Sequence, residues 1–361
     1  MKIAASGAVP FPPVCNRKTA MNHAAASLAT SLTATRLPLE RVPVIDAAGL
    51  YSDDITARRA VAAALRQACR DIGFFYVCNH GLEPELMART FGRSREFFAL
   101  PLEKKNEIAF HKSAHNRGYV GIGVEKLDPT KKTDLKEALN FGREVQPGDP
   151  EFGQPLRGPN QWPEGMPDWC ADIRHFRARV DDFAQRLARA FALSLELPED
   201  WFADKIDRPI ATLRFLHYPP QGGHIAEEQI GAGAHTDYGI FTVLFQDEVG
   251  GLQVRNVAGE WIDAPPLPGA AVINVGDLMM RWTNDLYVST PHRVINASGR
   301  ERYSIAYFFD PNYDAPIETI PTCIPAGEKA RYEPTTGGGF IEAKLNATYA
   351  KKIGSQAGKE G

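Results

Sequence analysis

Gly231-Ala232-Gly233-Ala234-His235-Thr236-Asp237-Tyr238-Gly239-Ile240 runs directly into Phe241-Thr242-Val243-Leu244-Phe245-Gln246. A flexible Gly-Ala-Gly lead-in, two candidate metal ligands and a buried apolar run thus follow one another. In extended backbone, residues i and i+2 point the same way, so His235 and Asp237 can face one ion from a strand end. The apolar run reads as a strand over 241–246. It is one of a series beginning after Pro209, with others predicted at Thr212–His217, Leu252–Arg255, Trp261–Ala264, Ala271–Val275, Val294–Ile295 and Tyr303–Phe309. Val257-Ala258-Gly259-Glu260 supplies a hairpin turn between two of them. Many short strands in succession predict a sandwich or jelly roll.

The chain upstream is more helical. Arg41–Ile45 reads as a first strand and Phe74–Cys78 as a buried one. Ile55–Arg70 carries Val61, Leu65, Ala68 and Ile72 at helical spacing and is stopped by Gly73. A second helix is predicted from Pro84 to Ala99, ended by Pro101. A loop-rich stretch over 111–165 holds a short strand at Glu137–Phe141. A long helix follows over Pro167–Leu197, where Phe176, Val180, Phe183, Leu187 and Phe191 form one stripe. The expected organisation is a tail over 1–40, an N-terminal region over 41–160, a β core with its supporting helix over 161–350, and a second tail over 351–361.

Composition excludes several classes. Net charge is −3 across 361 residues, with 43% hydrophobic and 24% charged, so no basic stripe points to nucleic acid or a membrane surface. The five cysteines are widely spaced, odd in number and without a CxxC pair. That pattern fits a reducing cytoplasm rather than a disulfide framework. Up to Leu39 there is no acid, only Lys2, Arg17, Lys18 and Arg36 among many Ala, Ser and Thr. A disordered tail, a late true start at Met21 and a transit peptide all match that segment.

The chemistry gathers at the C-terminal end. His292 follows Asp237 after 54 intervening residues, and two histidines with one carboxylate suit one face of an octahedral iron(II). Arg302 and Ser304 share a strand face ten residues later, and a guanidinium can grip a carboxylate by a bidentate fork. Arg302 heads the apolar run Ile305-Ala306-Tyr307-Phe308-Phe309, where a cation needs an anionic partner. Tyr119, Asn140 and Phe308 are candidates to line a substrate pocket. His80 sits in an Asn-His-Gly turn and reads as structural. His217 is expected to face away from Tyr218, and His23, His111, His115, His175 and His224 have no partner spacing and read as exposed.

His235-Thr236-Asp237, the Ser289-Thr290-Pro291-His292-Arg293-Val294 stretch and Arg302-Tyr303-Ser304 together resemble the Fe(II)- and 2-oxoglutarate-dependent dioxygenases of the isopenicillin N synthase-like branch. Val42–Asp46, Gly73–Gly81, Leu213–Pro219, Asp247–Val254 and Asn274–Asp277 are similar to the same branch, so the likeness spans roughly 41–350. The resemblance implies a double-stranded β-helix (jelly-roll) core with a helical layer. It implies His235, Asp237 and His292 as iron ligands, Arg302 and Ser304 on the distal carboxylate of 2-oxoglutarate, and Tyr218 as a further 2-oxoglutarate contact. The implied reaction consumes O₂, releases succinate and CO₂, and hydroxylates or desaturates a small organic substrate. The carboxylate ligand Asp237 argues against a halogenating variant. Leu216 departs from the Asn found there in many plant members. An iron oxidase without 2-oxoglutarate, and a non-catalytic metal-binding jelly roll, remain compatible with the residues alone.

Overall fold

The computed structural model describes residues 42–128, 130–221 and 230–356. The predicted tail over 1–40, His23, His224 and Cys15 lie outside the described residues. The strands are β1 (Val44–Asp46), β2 (Phe74–Cys78), β3 (Gly118–Val120), β4 (Glu137–Phe141), β5 (Thr212–Tyr218), β6 (Ala232–His235), β7 (Phe241–Gln246), β8 (Leu252–Arg255), β9 (Trp261–Asp263), β10 (Ala270–Val275), β11 (His292–Val294) and β12 (Arg302–Phe309). Helices α1 (Ile55–Asp71), α2 (Pro84–Phe98), α3 (Leu102–Glu107), α4 (Pro167–Ser194), α5 (Asp277–Trp282) and α6 (Gly337–Gln356) accompany them. Each element read from periodicity is present, with ends shifted by a few residues.

Eight strands form one sheet in the order β1-β2-β10-β7-β12-β5-β4-β3, and β6-β11-β8-β9 form a second. This is the jelly roll that the strand series predicts. The larger sheet buries both faces. Its outer face carries Phe215, Phe241, Val243, Ile305 and Phe309, packed with the helical stripe Ile173, Phe176, Val180, Phe183, Leu187 and Phe191 of α4. Phe191 stacks flat on Phe241, ring centroids 5.2 Å apart. Its inner face joins a smaller cluster with Leu216, Tyr218, Ala306 and Val272, closed from the second sheet by Ala232, Leu252, Val254 and Val294.

Local chemistry sets the boundaries. The Asp54 carboxylate accepts from Thr56 N at 2.8 Å and caps α1, and Gly73 ends it at φ +64°, where a Cβ would strike the Val288 carbonyl. Pro167 opens α4 at its first turn. Register then distributes function. On β12, Arg302, Ser304, Ala306 and Phe308 point inward, while Tyr303, Ile305, Tyr307 and Phe309 point to the helices. Opposite them on β5 sit Tyr218, Leu216, Arg214 and Thr212.

His80 is buried, as the structural reading of its turn requires, between Phe183 and Phe245. Leu82 N donates to its Nδ1 at 3.2 Å. Burial pushes its pKa from 6.5 down to about 4. The unfolded chain therefore takes a proton below about pH 6.5 that the folded chain refuses until about pH 4. Stability falls as the pH drops through that window, by at most about 3 kcal/mol. Denaturant unfolding of the metal-free protein at pH 7 and pH 4.5 checks this. His80→Asn is expected to lose less stability on acidification than the wild type, and equal losses would contradict the assignment.

Candidate active site

The second sheet brings the two histidines together. On β11, His292 pairs in register with His235 of β6, so the imidazoles face one another with ring centroids 4.3 Å apart. Asp237, two residues beyond His235, turns back under them. Its Oδ1 lies 3.7 Å from His235 Nε2 and 3.6 Å from His292 Nε2. All three ligand atoms fall within 4.8 Å of one another.

The surrounding groups fix which atoms are left for a metal. His235 Nδ1 meets the Gly233 carbonyl at 2.7 Å and His292 Nδ1 meets the Thr290 carbonyl at 3.2 Å. A carbonyl can only accept, so each Nδ1 carries the proton and each Nε2 keeps its lone pair. Asp237 Oδ2 accepts from Thr242 Oγ1 at 2.5 Å and Asn274 Nδ2 at 2.8 Å, leaving Oδ1 toward the histidines. Burial, then the neighbouring His292, presses the His235 pKa down to about 3. Burial raises the Asp237 pKa, but His292, His235, Thr242 and Asn274 outweigh it and hold the carboxyl below its ordinary range. Two neutral imidazoles and one carboxylate are the protonation states a divalent metal needs.

Arg302 lies in the inner wall of the same cavity and is fully buried. Its Nε donates to the Gly250 carbonyl at 2.5 Å, one Nη to Gln246 Oε1 at 3.0 Å, and the other reaches Ser304 Oγ at 3.4 Å. The Tyr218 ring lies under it at 4.7 Å. No salt bridge to an acid meets this guanidinium among the described residues. A cation so buried, with a hydroxyl beside it and no anion, fits the carboxylate of a ligand. Leu216 flanks Ser304 in register on one side and Gln246 on the other. The polar neighbour thus comes from β7, while the β5 position where many plant members carry Asn is apolar.

The candidate lining residues divide. Asn140 and Phe308 face the cavity, and Asn140 Oδ1 is buried without a hydrogen-bond partner. The expectation for Tyr119 is corrected. Register pairs it with Leu139 on the helical side of the sheet, and its hydroxyl donates to Glu137 Oε2 at 2.5 Å. A period of two sends neighbours to opposite faces, so Tyr119 and Asn140 cannot share the cavity. Glu137 also receives Lys105 Nζ at 2.8 Å and His217 Nδ1 at 2.7 Å. His217, as expected, faces away from Tyr218 and packs on Tyr303. His111 and His175 are exposed, whereas His115 is half-buried, seated against Gly158.

Comparison with known proteins agrees with this geometry. Residues 42–165 match the N-terminal family described as non-haem dioxygenase in morphine synthesis, and residues 209–311 match the 2OG-Fe(II) oxygenase superfamily. A 2-oxoglutarate-Fe(II) type oxidoreductase of Emericella nidulans is 39% identical, covering 86% of this chain and 90% of that protein. The chain belongs to the 2-oxoglutarate- and Fe(II)-dependent oxygenases. A homoarginine-6-hydroxylase of Glycine max is 36% identical over 78% of this chain and 88% of its own. A full-length Neurospora crassa protein solved with alpha-KG superposes with a TM-score of 0.78 at 36% identity, covering 85% of this chain and 96% of that one. This oxygenase accordingly uses Fe(II) and 2-oxoglutarate and is a hydroxylating dioxygenase.

Several functional side chains escape a reading of the sequence. Thr242 and Asn274, partners across β7 and β10, hold Asp237. Arg214 pairs with Glu125, which also lies 3.4 Å from Lys136 Nζ. Asp134 binds Lys136 and accepts from Gly233 N at 3.0 Å, steadying the strand that presents His235. Asp310 follows β12 in the cavity wall, and burial together with Asp237 pushes its pKa up to about 7. The motif around Asn274 is visible in sequence, but its partner depends on sheet pairing.

Removing the Asn274 amide frees Asp237 Oδ2 and relaxes the orientation of Oδ1. Asn274→Ala is expected to weaken Fe(II) binding about 10- to 100-fold. Anaerobic titration of the metal-free enzyme measures this, and an unchanged dissociation constant would contradict the role.

Proposed function

We propose that His235, Asp237 and His292 hold the iron, that Arg302, Ser304 and Tyr218 hold the far carboxylate of 2-oxoglutarate, and that Asn140 and Phe308 line the space for a small polar substrate. The observation that carries this reading is the fully buried Arg302, with no salt bridge to an acid among the described residues, in the same cavity as the His-Asp-His cluster on the facing sheet. When bound, iron and 2-oxoglutarate together divide O₂ between succinate, formed with loss of CO₂, and a hydroxyl group on the substrate.

The protein positions and shields. Arg302 and Ser304 lie on β12 and would grip one end of the five-carbon diacid, with its other end toward the metal ligands that line the same cavity. Leu216, Leu244, Leu252 and Val294 form apolar walls that keep bulk water from the reacting groups. Asn140 and Thr212 line the same cavity, and Asn140 Oδ1 is buried with no hydrogen-bond partner among the described residues, so both can meet polar groups of a substrate.

Two relatives bear on the substrate. One is named a homoarginine-6-hydroxylase, and the Neurospora crassa protein has also been solved with alpha-KG and thymine. Both molecules are small and nitrogen-bearing, and we assign this enzyme a substrate of that kind. Its catalytic core is placed over 161–350 with the N-terminal region over 41–160. A reducing cytoplasm is supported by Cys69, Cys78, Cys170 and Cys323, which are buried and form no disulfide among the described residues. No described helix is long and apolar enough to cross a membrane.

Anaerobic enzyme loaded with Fe(II) is expected to develop a weak visible charge-transfer band on adding 2-oxoglutarate, and to release succinate on admission of O₂. Arg302→Leu is expected to raise the KM for 2-oxoglutarate at least about thirtyfold, since the buried charge-assisted grip is lost. Absence of both band and succinate in the wild type would overturn the 2-oxoglutarate assignment, and an unaltered KM in the variant would overturn the role of Arg302.

A further inference from the structure

The charged groups of the cavity are almost all matched to one another. Arg214 is paired with Glu125, Lys136 with Glu125 and Asp134. Asp237 is held by Thr242 and Asn274 and faces the two histidines. Arg302 is the anion seat at one end. Asp310 is different. It is 6% exposed, it lines the cavity, and no hydrogen bond or salt bridge meets its carboxylate among the described residues.

Its position follows from register. Ser304, Ala306 and Phe308 alternate along the inner face of β12, and Asp310 is the next inward position, two residues beyond Phe308. Arg302 and Asp310 thus mark the two ends of one wall. Gly239 makes room for the carboxylate: a Cβ there would stand 1.8 Å from Asp310 Oδ1. Gly239 is two residues beyond Asp237, so the vacant carboxylate sits beside the metal ligands at the end of the cavity opposite Arg302.

A buried carboxylate with neither donor nor cation is costly unless a ligand supplies one. The strand that anchors the acidic cosubstrate at its start therefore offers the opposite charge at its finish. We propose that Asp310 is a specificity-determining residue that binds a positively charged nitrogen, an ammonium or guanidinium, on the substrate. The proposal rests on the oxygenase reading above, and deepens it by naming a cationic substrate class. Asp310 would also repel a second molecule of 2-oxoglutarate from the substrate end, which a neutral wall would not do.

The test uses anaerobic full-length enzyme with Fe(II) and 2-oxoglutarate. Probes are added in pairs that differ in whether the terminal group is a guanidinium or a neutral urea: homoarginine with homocitrulline, and agmatine with N-carbamoylputrescine. Binding is read from the change each probe causes in the charge-transfer band. In at least one pair the guanidinium member is expected to bind the wild type about tenfold or more tightly than its urea partner, the scale of a charge-assisted hydrogen bond. Asp310→Asn is expected to bring that ratio close to one while the band before probe addition persists. Gly239→Ala, which displaces the carboxylate without removing it, is the second variant and is expected to shrink the ratio as well. A wild type with the band but no preference in either pair overturns this proposal alone, as does a preference that survives in both variants. A wild type without the band overturns the oxygenase reading and this proposal with it.

Discussion

Buried charge whose opposite charge the described residues do not supply is the constraint on which this structure turns. Arg302 is sealed in the core, and no acid among the described residues forms a salt bridge with it. Asp237 is buried against two imidazoles whose outward nitrogens already give their protons to backbone carbonyls. Neither arrangement is at rest in an apolar interior unless a ligand completes it. On the proposed reading, a metal cation would answer Asp237 and the carboxylate of 2-oxoglutarate would answer Arg302. The fold holds these two unmet charges in one cavity, and the reaction needs both ligands side by side.

The jelly roll achieves this through two independent registers. In the four-stranded sheet, pairing of β6 with β11 sets His235 opposite His292. In the eight-stranded sheet, alternation along β12 sends Arg302, Ser304 and Phe308 inward and Tyr303, Tyr307 and Phe309 outward. A slip of one residue in β12 would exchange these sets and put aromatic rings where Arg302 and Ser304 now face the cavity. The packing of Phe309 and Ile305 against the α4 layer therefore fixes the proposed cosubstrate site as well as the core. Most of the buried apolar side chains belong to the cluster on the helical side, which leaves the inner face free to carry polar groups.

Much of this was legible in the chain. The alternation of Tyr303–Phe309 and the apolar run after Asp237 announce strands. The helical stripe of α4 announces the layer behind them. The triad and the Arg-Ser pair are legible because i, i+2 spacing on a strand dictates a shared face. What escaped depends on contacts between distant strands. Thr242 and Asn274 are ordinary strand residues until β7 pairs with β10. Asp310 looks like a turn residue ahead of Pro311. Tyr119 illustrates the opposite error: an aromatic near a predicted loop invites a pocket role, but antiparallel pairing with Leu139 sends it to the helices. Glu137 shows why sequence cannot assign that face, since its buried partners Lys105, Tyr119 and His217 come from three separate elements.

The most direct test of the central claim is the iron-edge anomalous signal from crystals grown anaerobically with Fe(II) and 2-oxoglutarate. The account predicts one iron peak bonded to His235 Nε2, His292 Nε2 and Asp237 Oδ1, with the far carboxylate of 2-oxoglutarate against Arg302 and Ser304. Iron bound elsewhere, for instance at His217 and Glu137, or a cosubstrate whose far carboxylate points away from Arg302, would contradict it.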